Sequence, residues 1–378
     1  MTSSSETLSS FSRKLENRKL WIEAITIIAL AVLALFILPN TLSAFRLNLL
    51  GRWCAFAIVA VSIDLIWGFT GMLSLGHAVY FALGGYCLGM HLKLMAPSLT
   101  GASNPSGEPI PDFMAYGGLE GLPFWWEPFY NPWFAMAAVV VVPAIVATIL
   151  GYLIFRNRIK GVYFAIISQA TSLVFSVLLI GYLEYTAGTN GLTDFKTFFG
   201  ANINTPKVRE TLYIITVLFL LGTYLFSRWL TSGKFGRLMV AIRDDEFRVR
   251  YAGYHVAFYK LVIYVISAAI AGIGGALFVP QVLIINPNQA GIVQSIDFVI
   301  WVAVGGRGTL VGAISGALLV NWIKTSLSEN LPEFWLLFQG LVLVLVVTFL
   351  PKGVTGVLGS WMNKLFFSGA REDSRVIT

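Results

Sequence analysis

Ten runs of 14 to 23 mainly apolar residues recur along this 378-residue chain, over 20–38, 49–69, 72–94, 133–154, 161–182, 210–229, 260–281, 291–304, 308–326 and 334–350. Their length is the constraint. A helix needs about 20 apolar residues to cross the roughly 30 Å of bilayer hydrocarbon, whereas a barrel strand needs only about ten, alternating with polar ones. Inside hydrocarbon no water satisfies backbone N–H and C=O groups, so only helices and closed barrels span it. The expected fold is therefore all-α, a polytopic transmembrane helical bundle of about ten spans with glycine-interrupted helices. Hydrophobic residues at 57% and charged residues at 12% exceed what one soluble core requires. The net charge of +7 does not point to nucleic acid, because the basic residues cluster at the ends of apolar runs.

Those clusters set an expected topology. Arg13, Lys14, Arg18 and Lys19 precede the first run and place the tail 1–19 in the cytoplasm. Alternation then puts inside the segment 155–160, the loop 230–259 with Lys234, Arg237, Arg243, Arg248 and Arg250, and the tail 352–378 with Lys352 and Lys364. Arg46 is the small dissenter. The run 291–304 is short and contains Asp297, yet counting it as a crossing is what keeps Lys352 inside. The first run ends in LPNTL without a small-residue cleavage pattern and reads as a retained span of the membrane domain 20–351. The segment 95–132 falls outside; it has no Lys or Arg but contains Glu108, Asp112, Glu120 and Glu127. Its seven prolines preclude a long helix. Its aromatic cluster, Phe124, Trp125, Trp126, Phe129, Tyr130 and Trp133, reads either as an interfacial belt or as a docking surface for an external partner. Cys54 and Cys87 lie in apolar runs and read as small buried hydrophobes, with no disulfide or metal role.

Two glycine-rich segments, GFTGMLSLGHAVYFALGGY (68–86) and VGGRGTLVGAISGALL (304–319), fall in opposite halves of the chain. Paired interruptions of this kind mark a transporter's pathway, although close helix packing through small residues is the plainer reading of any single glycine. The pathway candidates in them are Gly71, Ser74, Gly76 and His77, then Gly305, Gly306 and Thr309. Asp64 and Asp297 join them, since a carboxylate facing lipid at the bilayer centre costs about 3 kcal/mol and both must face the bundle or a cavity. Asp64 lies one turn before the first glycine segment, placed to hold a broken helix or line a path. His77, His91 and His255 pair with no Cys or carboxylate at metal-binding spacing, and a lone His77 is more often a packing residue than a ligand.

The polar run GKFGRLMVAIRDDEFRVRYAGYHV (233–256) is wedged between membrane spans. Leu238, Ile242 and Val249 give it the spacing of one short amphipathic helix bounded by glycines. Gly236, Arg237, Ala241, Ile242, Arg243, Asp244, Glu246, Ala252 and Gly253 would present it to a protein groove; a solvated loop helix is the alternative. No GxxxxGK[ST] loop occurs in the chain, so an ATPase would have to be a separate polypeptide.

Seven segments in order, TGMLSLGHAVYFALGGY (70–86), RIKGVYFAIISQA (158–170), GTNGLTDFKT (188–197), GRLMVAIRDDEFRVRYAG (236–253), KLVIYVISAAIAGIGGALF (260–278), GGRGTLVGAISGA (305–317) and FLPKGVTG (349–356), resemble the membrane-spanning subunits of ABC importers for branched-chain amino acids and urea. DLIWGFTG (64–71), NGLTDFKT (190–197) and PEFWLLFQG (332–340) are similar to the second permease subunit of urea importers. Amino-acid permeases usually carry Asn where this chain has Asp64, and a shorter connection in place of 95–132. YTAGT (185–189) departs from the family's more glycine-rich stretch. The resemblance implies a non-catalytic permease subunit of the bacterial inner membrane with both termini cytoplasmic, and it adds Asn190 to the pathway candidates. It implies as partners a homologous second permease, two cytoplasmic ATPases that bind the ATP and Mg, a periplasmic solute-binding protein and the surrounding lipid. It makes 233–256 a coupling helix and urea the expected solute, with branched-chain amino acids the alternative. A passive channel would have no use for that segment, and a membrane enzyme would need clustered His and acids that the scattered histidines do not supply.

Overall fold

Every apolar run whose residues are described becomes a helix, with ends within a few residues of those expected. The computed structural model describes residues 27–96 and 110–330, together with Gly340, Leu341, Val344, Thr348, Gly353, Val354 and Gly356. The expected tail 1–19, most of the run 334–350 and most of the tail 352–378 lie outside the described residues. The helices are α1 (Ile27–Thr41), α2 (Ala44–Thr70), α3 (His77–Leu94), α4 (Asp112–Tyr116), α5 (Pro132–Arg156), α6 (Val162–Gly181), α7 (Leu183–Thr186), α8 (Pro206–Ser232), α9 (Lys234–Asp244), α10 (Glu246–Tyr251), α11 (Val256–Val282), α12 (Ile292–Gly305) and α13 (Leu310–Asn330). Six of them, α2, α5, α6, α8, α11 and α13, are long and apolar enough to cross a membrane. The chain is a polytopic helical membrane bundle. It divides into two compact units, Met1–Leu47 and Asn48–Thr378. In the first, α1 contains a π-helical turn at Leu33–Ile37; the second holds everything below.

α3 is the most enclosed helix, with all but three of its 18 residues buried. Glycine lets it sink that far. Gly84 lies against the backbone of Gly272 on α11, Gly275 lies against the Phe81 carbonyl, and Gly272 meets the Val139 carbonyl of α5, each too close for a Cβ. α3, α5 and α11 thus pack backbone to backbone, which in a membrane replaces the hydrophobic drive that lipid removes. Phe56, Phe81, Phe278, Phe298 and Trp301 fill the space beside this contact as one ring cluster, with centroids 4.8–6.0 Å apart.

At the C-terminal end of α3 the connections fold into a cap. Two short strands, β1 (Leu192–Thr193) and β4 (Ile284–Ile285), pair antiparallel with Leu192 opposite Ile285, and β2 (Thr197–Phe198) pairs with β3 (Ala201–Asn202). The proline-rich segment contributes only α4 and one 3₁₀ turn at Glu127–Tyr130 among the described residues, as its prolines require. Its aromatics divide. Trp126 and Phe129 are buried in the cap's core with Met114, Leu192 and Phe195, and the Phe129 carbonyl accepts from His91 Nδ1 at 2.8 Å. Phe124 and Trp133 stay exposed, at 83% and 76%, so the belt-or-docking reading survives only for those that do not hold the cap together.

Gly275→Val would drive a branched side chain into the Phe81 carbonyl. We expect a loss of folded protein in detergent beyond the roughly 1–3 kcal/mol of ordinary overpacking, because backbone cannot move aside. Gly222 on α8 has nothing within 4 Å of an added Cβ, and Gly222→Ala should be neutral or stabilising by up to about 1 kcal/mol. Thermal unfolding of both variants in one detergent checks the contrast.

Candidate functional site

α2 ends where Gly71 turns left-handed, at φ +75°. Its N–H donates to the Trp67 carbonyl and the Met72 N–H to the Ile66 carbonyl, both at 3.1 Å, a left-handed C-cap that only glycine enters without strain. The chain does not resume a helix until His77. The expected run 72–94 is therefore helical only from His77, and Met72–Gly76 is irregular backbone inside the bundle. Ser267, which faces this segment from α11, lies about 16 Å along that helix at 1.5 Å per residue, within the span rather than at its end. Irregular backbone persists at such depth only if every polar group finds a protein partner.

Serines supply the partners. From α6, Ser168 Oγ accepts from Leu75 N–H at 2.9 Å and Ser172 Oγ donates to the Leu75 carbonyl at 3.1 Å. From α12, Ser295 Oγ accepts from Ala78 N–H at 3.4 Å and lies 3.1 Å from Ser172 Oγ. Ser74 Oγ accepts from Gly76 N–H at 3.3 Å. Gly76 backs so closely on the Ser168 carbonyl that a Cβ would lie 2.8 Å from it.

His77 is fully buried and joins this set to α11 and α2: its Nδ1 is 3.0 Å from Ser74 Oγ and its Nε2 is 2.7 Å from Ser267 Oγ. Ser267 donates its own proton to the Ser62 carbonyl at 2.6 Å, so it must accept from His77. That fixes the proton on Nε2 and leaves Nδ1 to accept from Ser74. Tyr264 accepts from the Tyr80 hydroxyl at 2.7 Å. The result is one directed chain, Ser74 to His77 to Ser267 to the Ser62 carbonyl. His77 is a satisfied structural residue at the break in the helix.

The second glycine segment meets the first. Asp64 Oδ1 accepts from Gly308 N–H at 2.6 Å, and Gly68 lies on Gly308 so tightly that a Cβ would strike Gly308 N. Gly306 and Gly308 adopt φ +117° and +81° in the turn from α12 to α13, which Thr309 closes by donating to the Gly306 carbonyl at 2.7 Å. Asp64 Oδ2 is buried with no hydrogen-bond partner among the described residues. Asp297, buried on α12, pairs with Lys324 of α13 at 3.1 Å. Both acids face inward, as the cost of exposing them to lipid requires. Asn190 does not join this group: it is exposed in the turn Gly188–Asn190 of the cap.

The expected single helix over 233–256 is two. Asp245 takes an extended conformation, and its carboxylate accepts from Phe247 N–H at 3.0 Å and Arg248 N–H at 3.1 Å, ending α9 and capping α10. Gly236, Met239 and Ile242 form the buried face of α9, while Arg237, Ala241, Arg243 and Asp244 are exposed, as are Ala252 and Gly253 beyond α10. Arg243 reaches the glycine junction, donating from a guanidinium N–H to the Gly68 carbonyl at 2.8 Å. Glu246 ties α10 to the bundle through Lys260 at 2.8 Å and Lys160 at 3.1 Å, and also pairs with Arg250. Burial by itself would raise the Glu246 carboxyl, but the hydrogen bonds and charges of Lys260 and Lys160 outweigh it and hold its pKa below the ordinary glutamate value. Between these elements lies a cavity of about 340 Å³, bordered by Gly71, Met72, Arg243, Glu246 and Lys260.

Sequence reasoning missed Ser168, Ser172, Ser267, Ser295 and Lys324. The i, i+4 pair Ser168 and Ser172 in an apolar run was the available signal. It is faint, because membrane serines commonly bond back to their own helix.

The sequence model of one family, described as branched-chain amino acid transport system / permease component, matches residues 45–347. The chain is 23% identical to the high-affinity branched-chain amino acid transport system permease protein LivM of Salmonella typhimurium over 359 residues, covering 89% of this chain and 75% of that one. It is 22% identical to LivH of the same organism, covering 80% and 91%. It is 26% identical to the ribose import permease protein RbsC of Escherichia coli over 210 residues, covering 52% and 62%. No solved structure matches.

Two measurements test this geometry. Ser267→Ala leaves the buried His77 Nε2–H without its acceptor and should cost about 1–3 kcal/mol of stability. Thr171→Ala removes only a bond to its own helix, to the Ile167 carbonyl, and should stay within about 0.5 kcal/mol in the same thermal assay. Because Glu246 has a depressed pKa, its contribution is complete above the ordinary glutamate value of about 4.3 and is lost as pH falls below it. Glu246→Gln should therefore loosen α10 at neutral pH, and its stability difference from the parent should shrink as pH drops through that range.

Proposed function

The chain belongs to the family of permease components of branched-chain amino acid transport systems, and from that premise we propose that it is the non-catalytic half of an ATP-driven importer whose motor docks on α9 and α10. One observation carries this reading: Arg243, on the polar segment between spans, bonds the Gly68 carbonyl where the two glycine segments touch. A push on α9 reaches the end of α2 through that bond, and reaches α11 and Lys160 through Glu246. Backbone packed at glycine contact cannot absorb such a displacement, so α2 and the α12–α13 turn move together and open the path on alternate sides.

α9 and α10 face the cytoplasm in this reading, by the basic-loop rule. The partners are a second, homologous permease, two ATPases that bind ATP and Mg, and a solute-binding protein on the opposite side. The solute we assign is urea, on the resemblance of 64–71, 190–197 and 332–340 to urea permeases and on Asp64 in place of asparagine. Branched-chain amino acids are the second reading, favoured by the family description and by LivM and LivH. A hydroxyl- and carboxyl-rich break in the helix suits a solute recognised by hydrogen bonds.

Reconstituted with its partners, the double variant Arg243→Ala, Glu246→Gln should cut ATP-driven uptake about tenfold or more, as expected for the loss of charge-assisted bonds, while the ATPases continue to turn over. Unchanged uptake would remove the coupling assignment. Labelled urea and leucine supplied in parallel decide the solute. Asp64→Asn keeps an acceptor for Gly308 N–H and should alter transport with assembly intact; unaltered transport would make Asp64 scaffold alone.

A further inference from the structure

A second recess of about 340 Å³ opens beside α10, where α5 ends and α11 begins. Five cations line it, Arg156, Arg158, Lys160, Arg250 and Lys260, against one carboxylate, Glu246, with His255 at the edge. Glu246 already bonds Lys160, Lys260 and Arg250. Five positive charges less one negative leave an excess of four. Arg156 stacks on the neutral Tyr152 ring, 5.4 Å from its centroid, and hydrogen-bonds its hydroxyl. Among the described residues no acid pairs with Arg156 or Arg158.

Backbone conformation gives a second indication. Arg158 closes the end of α5 at φ +56°, donating its N–H to the Phe155 carbonyl at 3.2 Å while Ile159 N–H reaches Ile154. Glycine is the residue for that position, and a side chain there is strained. An arginine kept under that strain is accounted for if its guanidinium is needed in the recess. The rim supplies a third indication. Tyr254, which lines the recess, and Tyr152, which carries Arg156, are each about half exposed, an apolar border at the ends of membrane helices.

We propose that this recess binds a phosphate-bearing anion. Forked guanidinium donors match phosphate oxygens, and basic pockets between helix ends take anionic lipid headgroups. Soluble phosphate offers the same chemistry; the apolar rim favours the lipid, whose acyl chains it would receive. The site stands whatever solute the permease carries.

The test is the melting temperature of the full chain in neutral detergent, titrated with phosphatidylglycerol, phosphatidylcholine or sodium phosphate at matched ionic strength. Phosphatidylglycerol should raise it and phosphatidylcholine should not; an equal response to sodium phosphate would assign the site to soluble phosphate. Arg156→Gln should leave the lipid-free melting point unchanged and weaken the response about tenfold, the loss of one charged contact. Arg158→Gly should raise the lipid-free melting point by relieving the backbone, yet weaken the response by a similar factor. No shift from either phosphate source, shifts that persist in both variants, or occupancy seen only when an ATPase partner supplies an acid would overturn the proposal.

Discussion

Irregular backbone inside a membrane-spanning bundle leaves N–H and C=O groups in surroundings where lipid offers them nothing, and the architecture around Met72–Gly76 is a response to that cost. Both polar groups of Leu75 are met by serines on one face of α6, and the Ala78 N–H by a serine of α12. His77 then carries the polarity on to Ser267 and the Ser62 carbonyl. Each hydroxyl donates once and accepts at least once. The direction of every bond follows from its neighbours, so the break has a single low-energy arrangement and α2, α3, α6, α11 and α12 are placed by it.

Glycine does the complementary work. Where serines satisfy the irregular backbone, glycines let regular backbones approach closely enough to hold without a hydrophobic drive: Gly84 with Gly272, Gly275 with Phe81, and Gly68 with Gly308. The last of these has a mechanical consequence, since Asp64 and Arg243 bond to the two sides of the same contact. A polar segment outside the spans is thereby joined to the interrupted helices by hydrogen bonds and backbone contact alone.

Charge is arranged differently at the two ends. In the cap, Trp126 and Phe129 join a buried apolar cluster that continues into α3, α5 and α11, and His91 bonds the Phe129 carbonyl from α3. At the end carrying α9 and α10, cations gather around the single carboxylate of Glu246. This asymmetry follows the sign pattern legible along the chain, where the segment 95–132 has no Lys or Arg and 155–160 with 230–259 holds many.

Spans, glycine interruptions and inward acids were all readable because each is fixed by what lipid forbids: a run of apolar length must be a helix, and a carboxylate at depth must turn inward. The pairing of Gly68 with Gly308 was readable only as a correspondence between two halves, not as a contact. Asp245 broke the expected amphipathic helix in two, since its carboxylate caps the next turn better than it serves the interior of the first. The serine scaffold and the proton position on His77 depend on which faces meet across about 90 to 220 residues of chain, and the partner of Asp297 on how α12 packs against α13. Sequence by itself determined the medium and the helical kind of the spans, because solvation acts on each segment locally. Tertiary structure decided which hydroxyl satisfies which orphaned amide, because a hydrogen bond needs two groups within about 3 Å and only packing brings them there.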